Sequence, residues 1–296
     1  MTNFWKEYGK SFLLGFVFVG ILLFVVRIWD KPVKLPENIA VILSPHFDDA
    51  VLSLGGFMAE HKAPVVVATF FAGKPSEPIE GEWDKHSGFK DSDKAIEARV
   101  AENLLALKQT GAYSLNLRHI DFQYRPERDS VSGEKIFRSM KSDIETIIKD
   151  FSGAESISLY GPSEFGDKIT HPDHKLLHDA FAAVAREKSG GNSPRRIRFF
   201  FYEDFPYVKH YETSTTTSLK TFLERANSGI SLCEMPLPVP SSAVSKKLEL
   251  IKTYASQEQA FESLGADIGK EAGIFTENRC KKTKPAWEGC EVVYEI

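Results

Sequence analysis

Two short segments combine imidazoles with carboxylates at spacings that suit metal binding and proton transfer. The first is Ser44-Pro45-His46-Phe47-Asp48-Asp49 and the second is His171-Pro172-Asp173-His174. If the first turns into a helix, His46 and Asp49 lie three apart and face one point, while Asp48 projects elsewhere. In the second, Pro172 at the first helical position puts His171 and His174 on the N-terminal side of a helix, where Asp173 can hold one ring's second nitrogen. A catalytic zinc site takes three protein ligands and leaves one position open, and His46, Asp49 and His174 supply three nitrogen and oxygen donors of suitable hardness. Asp48, beside a ligand without needing to be one, is then placed to take a proton from water. Spacing alone admits an exchange of roles between Asp48 and Asp49. Each segment also has a plain structural reading, with Asp48 or Asp49 capping a helix, His46 satisfied in a loop, and the H-x-x-H pair solvated. Two such clusters at strand ends of one sheet favour chemistry over both plain readings.

The elements that must position these residues alternate in type. The runs Ile39–Leu43, Val65–Phe71, Leu115–Ile120, Ser156–Tyr160 and Ile197–Tyr202 read as strands. Helical periodicity marks Asp49–Glu60, Ser92–Gln109, Ser132–Lys149 and Pro172–Arg186, with Gly111 supplying a stop. Nearly continuous apolar strands alternating with helices predict an α/β, doubly wound, mainly parallel sheet covered on both faces, with its site beyond the strands' carboxyl ends. The proline-broken stretch LCEMPLPVPSS is expected to wrap the surface before a last helix over Ala243–Phe261, and YETSTTTS (Tyr211–Ser218) reads as a loop. Gly55-Gly56 lacks a G-x-G-x-x-G context and reads as close helix packing, Phe199-Phe200-Phe201 as buried strand, and Ser44 and Ser53 lack a G-x-S-x-G frame.

With these residues in view, the chain resembles the PIG-L/LmbE-like family of zinc-dependent N-acetylglucosaminyl deacetylases, over roughly Ala40 to Phe261. The family's H-P-D-D-E motif reads here His46-Phe47-Asp48-Asp49-Ala50, and its H-x-D-H motif reads His171-Pro172-Asp173-His174 without change. A middle motif with Arg and Glu on one helix matches Arg99-Val100-Ala101-Glu102. Tyr202-Glu203-Asp204-Phe205-Pro206-Tyr207 and Ser256-Gln257 are similar to segments of a bacterial branch whose first motif is S-P-H-x-D-D-A. The resemblance implies a Rossmann-like fold, a zinc ion (Zn2+) held by His46, Asp49 and His174, Asp48 as general base, His171 facing the developing oxyanion as a cation, and Asp173 tuning His171. It implies removal of an acetyl group from an N-acetylated amino sugar. Rival readings are an amidase acting on another acylated glycoside or thiol conjugate, and a tethered carbohydrate-binding protein without turnover. The departures at Phe47 and Ala50 remove neither a ligand nor the base. Arg99 is expected to hold a sugar or phosphate oxygen across the pocket, with a solvated pair to Glu102 as the alternative.

The N-terminal segment is of another kind. Phe12–Val26 contains 15 uncharged positions, and extension to Ser11–Trp29 gives 19, about 28 Å of helix at roughly 1.5 Å per residue. Trp5, Tyr8 and Trp29 fall at the expected interfaces and no small-x-small cleavage site follows, so an uncleaved single-pass anchor over residues 1–29 is expected, then a linker over 30–38 and a catalytic domain over 39–296. The charges flanking the span do not by themselves fix its orientation; the reading adopted is N-terminus inside and catalytic domain outside. The chain of 296 residues has 42% hydrophobic and 26% charged residues and a net charge of −4, and without residues 1–29 the balance is −6. That acidic body argues against general nucleic-acid binding. Of three cysteines, Cys280 and Cys290 are ten apart, a spacing open to a disulfide in an oxidising compartment and equally to unrelated thiols; Cys233 would be the odd one.

Overall fold

A computed structural model describes residues 36–126, 130–164, 171–189, 196–209, 218–227 and 230–296. Its sheet is built around β1 (Asn38–Ser44), NIAVILS, in which every residue after Asn38 is buried. A strand apolar on both faces needs cover on both sides, which is the condition of a central parallel strand. β2 (Val65–Thr69) and β3 (Tyr113–Asn116) join it in parallel on one side, and β4 (Ser156–Pro162) and β5 (Arg196–Tyr202) on the other. Two antiparallel strands, β6 (Cys233–Pro238) and β7 (Cys290–Glu295), complete the order β3-β2-β1-β4-β5-β7-β6. The expected α/β class is therefore observed as a mostly parallel, mixed sheet. Because the chain fills one side of β1 and then restarts with β4 on the other, the loops after β1 and β4 diverge and open a crevice at their carboxyl ends.

Nine α-helices are described: α1 (Asp49–Glu60), α2 (Glu82–His86), α3 (Ser92–Thr110), α4 (Ser130–Asp150), α5 (Pro172–Lys188), α6 (Leu219–Ala226), α7 (Ser241–Ile251), α8 (Ala255–Ser263) and α9 (Ile268–Asn278). Asp91 caps α3 by accepting from Lys94 N–H, and Gly111 ends it at φ 73°, the left-handed conformation that glycine adopts without strain. Phe199, Phe200 and Phe201 are buried in β5.

Three readings of the sequence change. LCEMPLPVPSS does not wrap the surface but supplies β6, where Pro236 and Pro238 lie on an edge strand that can spare their missing N–H groups. The helix expected last, over Ala243–Phe261, is two, α7 and α8, because Glu102 accepts from both Ser256 N–H (2.8 Å) and its hydroxyl (2.7 Å) and so starts a new helix there, and α9 follows them. The third strand starts two residues earlier than expected and ends at Asn116.

α1 bends at Leu54 (φ −122°), where Glu291 accepts the N–H groups of Gly56 (2.9 Å) and Phe57 (2.7 Å) and pairs with buried Lys247 (2.7 Å). A Cβ on Gly55 would lie 2.8 Å from Lys247 Cγ, and one on Gly56 2.6 Å from Val239 Cγ1, so packing accounts for both glycines. Cys280 and Cys290 are joined by a disulfide with a Cα–Cα distance of 5.9 Å, and Cys233 is an exposed thiol. The predicted anchor over residues 11–29, residues 30–35 of the linker and residues 211–217 lie outside the described residues. Among the described residues no helix is long and apolar enough to cross a membrane.

Candidate active site

The loop after β1 is folded by its own polar side chains. Ser44 Oγ donates to His46 O (2.6 Å) and accepts from Ala50 N–H (3.0 Å), which closes the turn into α1. Asp48 occupies the N-cap position but makes no capping hydrogen bond, so its carboxylate is left for the pocket it lines. Asp49 Oδ2 accepts from His46 N–H (2.7 Å), which aims it back at the loop.

The loop after β4 delivers the second pair. His171 is the N-cap of α5, its Nδ1 accepting from Asp173 N–H (3.3 Å), and Pro172 takes the first helical position. His174, one turn in, is fully buried and its Nδ1 meets Asp204 Oδ2 at 2.5 Å. His46 Nε2 meets Asp173 Oδ2 at 3.2 Å. With those nitrogens engaged by carboxylates, the lone-pair sides of the two rings face each other, His46 Nδ1 and His174 Nε2 being 3.2 Å apart. Asp49 Oδ2 is 3.3 Å from each.

This triangle fits zinc. Donors at about 2.0–2.1 Å in tetrahedral array stand roughly 3.3 Å from one another. Three lone-pair-bearing atoms at that spacing repel unless a positive charge lies among them. The protonation of the rings says the same: although burial opposes it, hydrogen bonds to Asp173 and Asp49 raise the pKa of His46 well above its ordinary value, and Asp204 and Asp49 raise that of His174. Protons are drawn to where a cation would bind. Asp49 is held well below the usual carboxylate range by His174 and His46 against the effect of burial. Asp48 moves the opposite way, to about 6, through burial and repulsion from Asp49. Two adjacent carboxylates driven apart in this manner suit different tasks, the ionised one for ligation and the other for proton transfer. Other candidate donor sets among the described residues are His46 with His171 and His174, His46 with Asp121 and Asp173, and Asp49 with His174 and Asp204.

Two expectations for the second segment are corrected. Asp173 serves chiefly His46 and raises the His171 pKa only from a distance: it is fully buried, accepts from His46, from Phe122 N–H (2.8 Å) and from Arg125, and stands 4.0 Å from His171 Nδ1. The cationic form expected of His171 is disfavoured. Burial and the neighbouring His46 charge lower its pKa to about 4, outweighing the pull of Asp173, and the helix N-terminus it caps disfavours positive charge as well. With Nδ1 accepting from Asp173 N–H, the neutral ring carries its proton on Nε2.

Arg99 lines the same pocket, buried, but is paired with Asp84 (3.2 Å) and stands 3.9 Å from Asp121, so the alternative pair with Glu102 is not formed. The cavity, about 360 Å3, is lined by His46, Asp48, Asp49, Arg99 and His171, and also by Leu52, Trp83, Asp121, Gln123, Pro206, Tyr207, Gln257 and Phe261. Sequence reasoning assigned no role to Asp204, Asp121 or Arg125. Asp204 follows the end of β5 as His46 follows β1, and it lies in the Tyr202–Tyr207 segment that resembles the bacterial branch; these are the signals that pointed to it.

No curated protein matches the chain. Its fold is similar to that of the zinc-inhibited form of the teicoplanin deacetylase Orf2 (22% identity, covering 87% of this chain and 97% of that one, TM-score 0.68). It is also similar to the A40926 pseudoaglycone deacetylase Dbv21 (24%, 87% and 96%, TM-score 0.66) and to the 4-carboxy-2-hydroxymuconate hydratase GalB from Pseudomonas putida KT2440 (15%, 88% and 96%, TM-score 0.56). A hydratase among these shows that the fold by itself does not select a reaction. Residues 41–185, which contain both histidine–carboxylate segments, match the family described as "PIG-L: GlcNAc-PI de-N-acetylase", and the chain carries a PIG-L family domain.

Proposed function

We propose that the protein is a zinc-dependent deacetylase that hydrolyses the amide of an N-acetylated amino sugar, releasing acetate and a free amine. The observation that carries this reading is the 3.2–3.3 Å triangle of His46 Nδ1, Asp49 Oδ2 and His174 Nε2 beside the separate carboxylate of Asp48. These three residues would hold the ion, which when bound supplies Lewis acidity to a carbonyl oxygen and makes water acidic near neutral pH. Asp48 accepts the proton of the attacking water and returns it to the leaving nitrogen. His171 donates its Nε2–H to the oxyanion of the tetrahedral intermediate, as a neutral donor. Asp173 and Asp204 hold the outer nitrogens of His46 and His174 and so fix which nitrogen faces inward. Arg99, with Asp121 and Gln123, provides a polar wall for the sugar's hydroxyls. The deacetylases of similar fold favour this reading over hydration.

The apolar run Phe12–Val26 supports a second part of the reading, in which residues 11–29 tether the enzyme to a membrane. The Cys280–Cys290 bridge supports placing the domain on the extracytoplasmic side, since such bonds persist in oxidising compartments. The test of function is release of amine from N-acetylglucosamine glycosides by the full-length chain, its loss on chelation and its return on adding zinc. Turnover that survives complete removal of metal would refute it. Protease protection of residues 36–296 in sealed vesicles tests the placement.

A further inference from the structure

The partner of His174 is poorly held by its own side chain. Asp204 meets His174 Nδ1 with Oδ2 (2.5 Å), but its Oδ1 is buried with no hydrogen-bond partner among the described residues. A buried carboxylate oxygen left bare is costly, and the side chain would gain by swinging toward any donor. Its aim must therefore come from the backbone that carries it. Asp204 N–H donates to Ser163 Oγ (3.2 Å), just after β4, and Phe205 N–H donates to Ser53 Oγ (3.1 Å) on α1. On the other side the anchor is Glu203.

Glu203 is buried and turns away from the metal donors, toward β7 and the end of α9. Its N–H donates to Val292 O (3.2 Å), and its carboxylate accepts from Arg279 through both Nε (2.6 Å) and Nη2 and from Tyr294 OH (2.8 Å). A forked guanidinium fixes a carboxylate in plane as well as in place. Arg279 is fixed in turn: it closes α9, its N–H donating to Phe275 O, and the next residue, Cys280, is bonded to Cys290 at the start of β7. Both groups that grip the Glu203 carboxylate thus belong to segments that the disulfide joins. Neither Glu203 nor Arg279 is among the residues that line the pocket.

We propose that Glu203 and Arg279 are positioning residues for the metal centre: their ion pair holds the chain beyond the end of β5 so that Asp204 is aimed at His174, and the zinc affinity of the triangle depends on it. This rests on the zinc reading of the site. A pair that acted only through its charges would behave differently. A distant anion attracts zinc and a distant cation repels it, so a field effect weakens binding in Glu203→Gln and strengthens it in Arg279→Gln. Loss of positioning weakens it in both.

The test is competition for zinc between a chromogenic chelator and the full-length protein in detergent, for the wild type, Glu203→Gln, Arg279→Gln and the double variant. Each single change is expected to weaken zinc binding about tenfold, the lower end of what an outer partner of a metal ligand is worth. The double variant, which leaves no buried charge unpaired, should lose no more than the singles, because the two residues act as one. Leu107→Ala, which opens a cavity under the C-terminal end of α3, controls for stability alone and should bind zinc as the wild type does. Should Arg279→Gln not fold, Glu203→Gln and the double variant decide the matter by losing the same tenfold. Wild-type affinity in Glu203→Gln, tighter binding in Arg279→Gln, a hundredfold loss in the double variant, or an equal loss in Leu107→Ala would overturn the positioning role and leave the zinc reading intact. A wild-type chain that takes up no zinc would overturn both.

Discussion

Asp173→Asn separates the role that the structure gives this residue from the one its spacing suggested. The change preserves shape and removes charge. Asp173 accepts from His46 Nε2 (3.2 Å) and Phe122 N–H (2.8 Å) on one oxygen and from Arg125 on the other. An asparagine can face acceptor to only one of those sides, so its NH2 must meet a donor. If the oxygen stays on His46, the Arg125 guanidinium, 5.6 Å from the Phe71 ring centroid and 5.2 Å from that of Phe122, loses its counter-charge. Breaking a buried pair costs about 3–5 kcal/mol, and the partial exposure of Arg125 puts the expected loss of stability near about 3 kcal/mol. His46 meanwhile exchanges a charged acceptor for a neutral one, a difference of about 1–1.5 kcal/mol, which lowers zinc affinity about tenfold. Competition against a chromogenic chelator reads the affinity, and urea unfolding reads the stability. Turnover at saturating zinc should stay within about tenfold. Unchanged zinc affinity together with a hundredfold or greater loss of turnover would refute this assignment and return Asp173 to His171.

Three further outcomes follow from the same geometry. Asp48 must be ionised to accept a proton and its pKa is pushed up to about 6, so kcat/KM should fall as pH drops through an acid limb that a bound cation would move no higher than about 6; Asp48→Asn should leave only a low residual rate without that limb. His178, buried with Nδ1 donating to Pro162 O (2.8 Å) and Nε2 accepting from Asn227 (3.1 Å), has its pKa lowered by burial from 6.5 to about 4. Its neutral form is the stable one, so its contribution is complete above pH 6.5 and is lost as pH falls toward 4. Urea unfolding at several pH values should show about 3 kcal/mol of acid destabilisation that His178→Gln lacks. Opening the Cys280–Cys290 loop by Cys280→Ser should cost about 2–3 kcal/mol of stability in the same assay, from loop-closure entropy.

The parts of the site that were legible in the sequence are those made by neighbours in the chain. His46, Asp48 and Asp49 come from one strand-end turn, and His171 and His174 from one helix start, so spacing alone brings each group to a point. The partners that decide tautomer and charge are remote: Asp204 reaches His174 from the loop after β5, and Arg125 reaches Asp173 from beyond β3. That distance is why Asp173 was assigned to its near neighbour His171 and not to His46. The protonation of His171 was misjudged for a related reason, since burial and the His46 charge outweigh a carboxylate 4.0 Å away. The central strands were legible because burial on both faces writes a continuous apolar run. β6 was not, because tolerance of proline depends on lying at an edge that only the whole sheet defines. The break between α7 and α8 likewise has no local signal; Glu102 on α3 makes it.

The most direct test of the account is zinc content and turnover measured side by side in Asp49→Asn and Asp48→Asn. The triangle of His46, Asp49 and His174 predicts that Asp49→Asn loses both metal and activity. Asp48→Asn should keep about one zinc per chain while turnover falls by roughly two to four orders of magnitude. Retention of zinc by Asp49→Asn together with its loss from Asp48→Asn would contradict the account and exchange ligand and base.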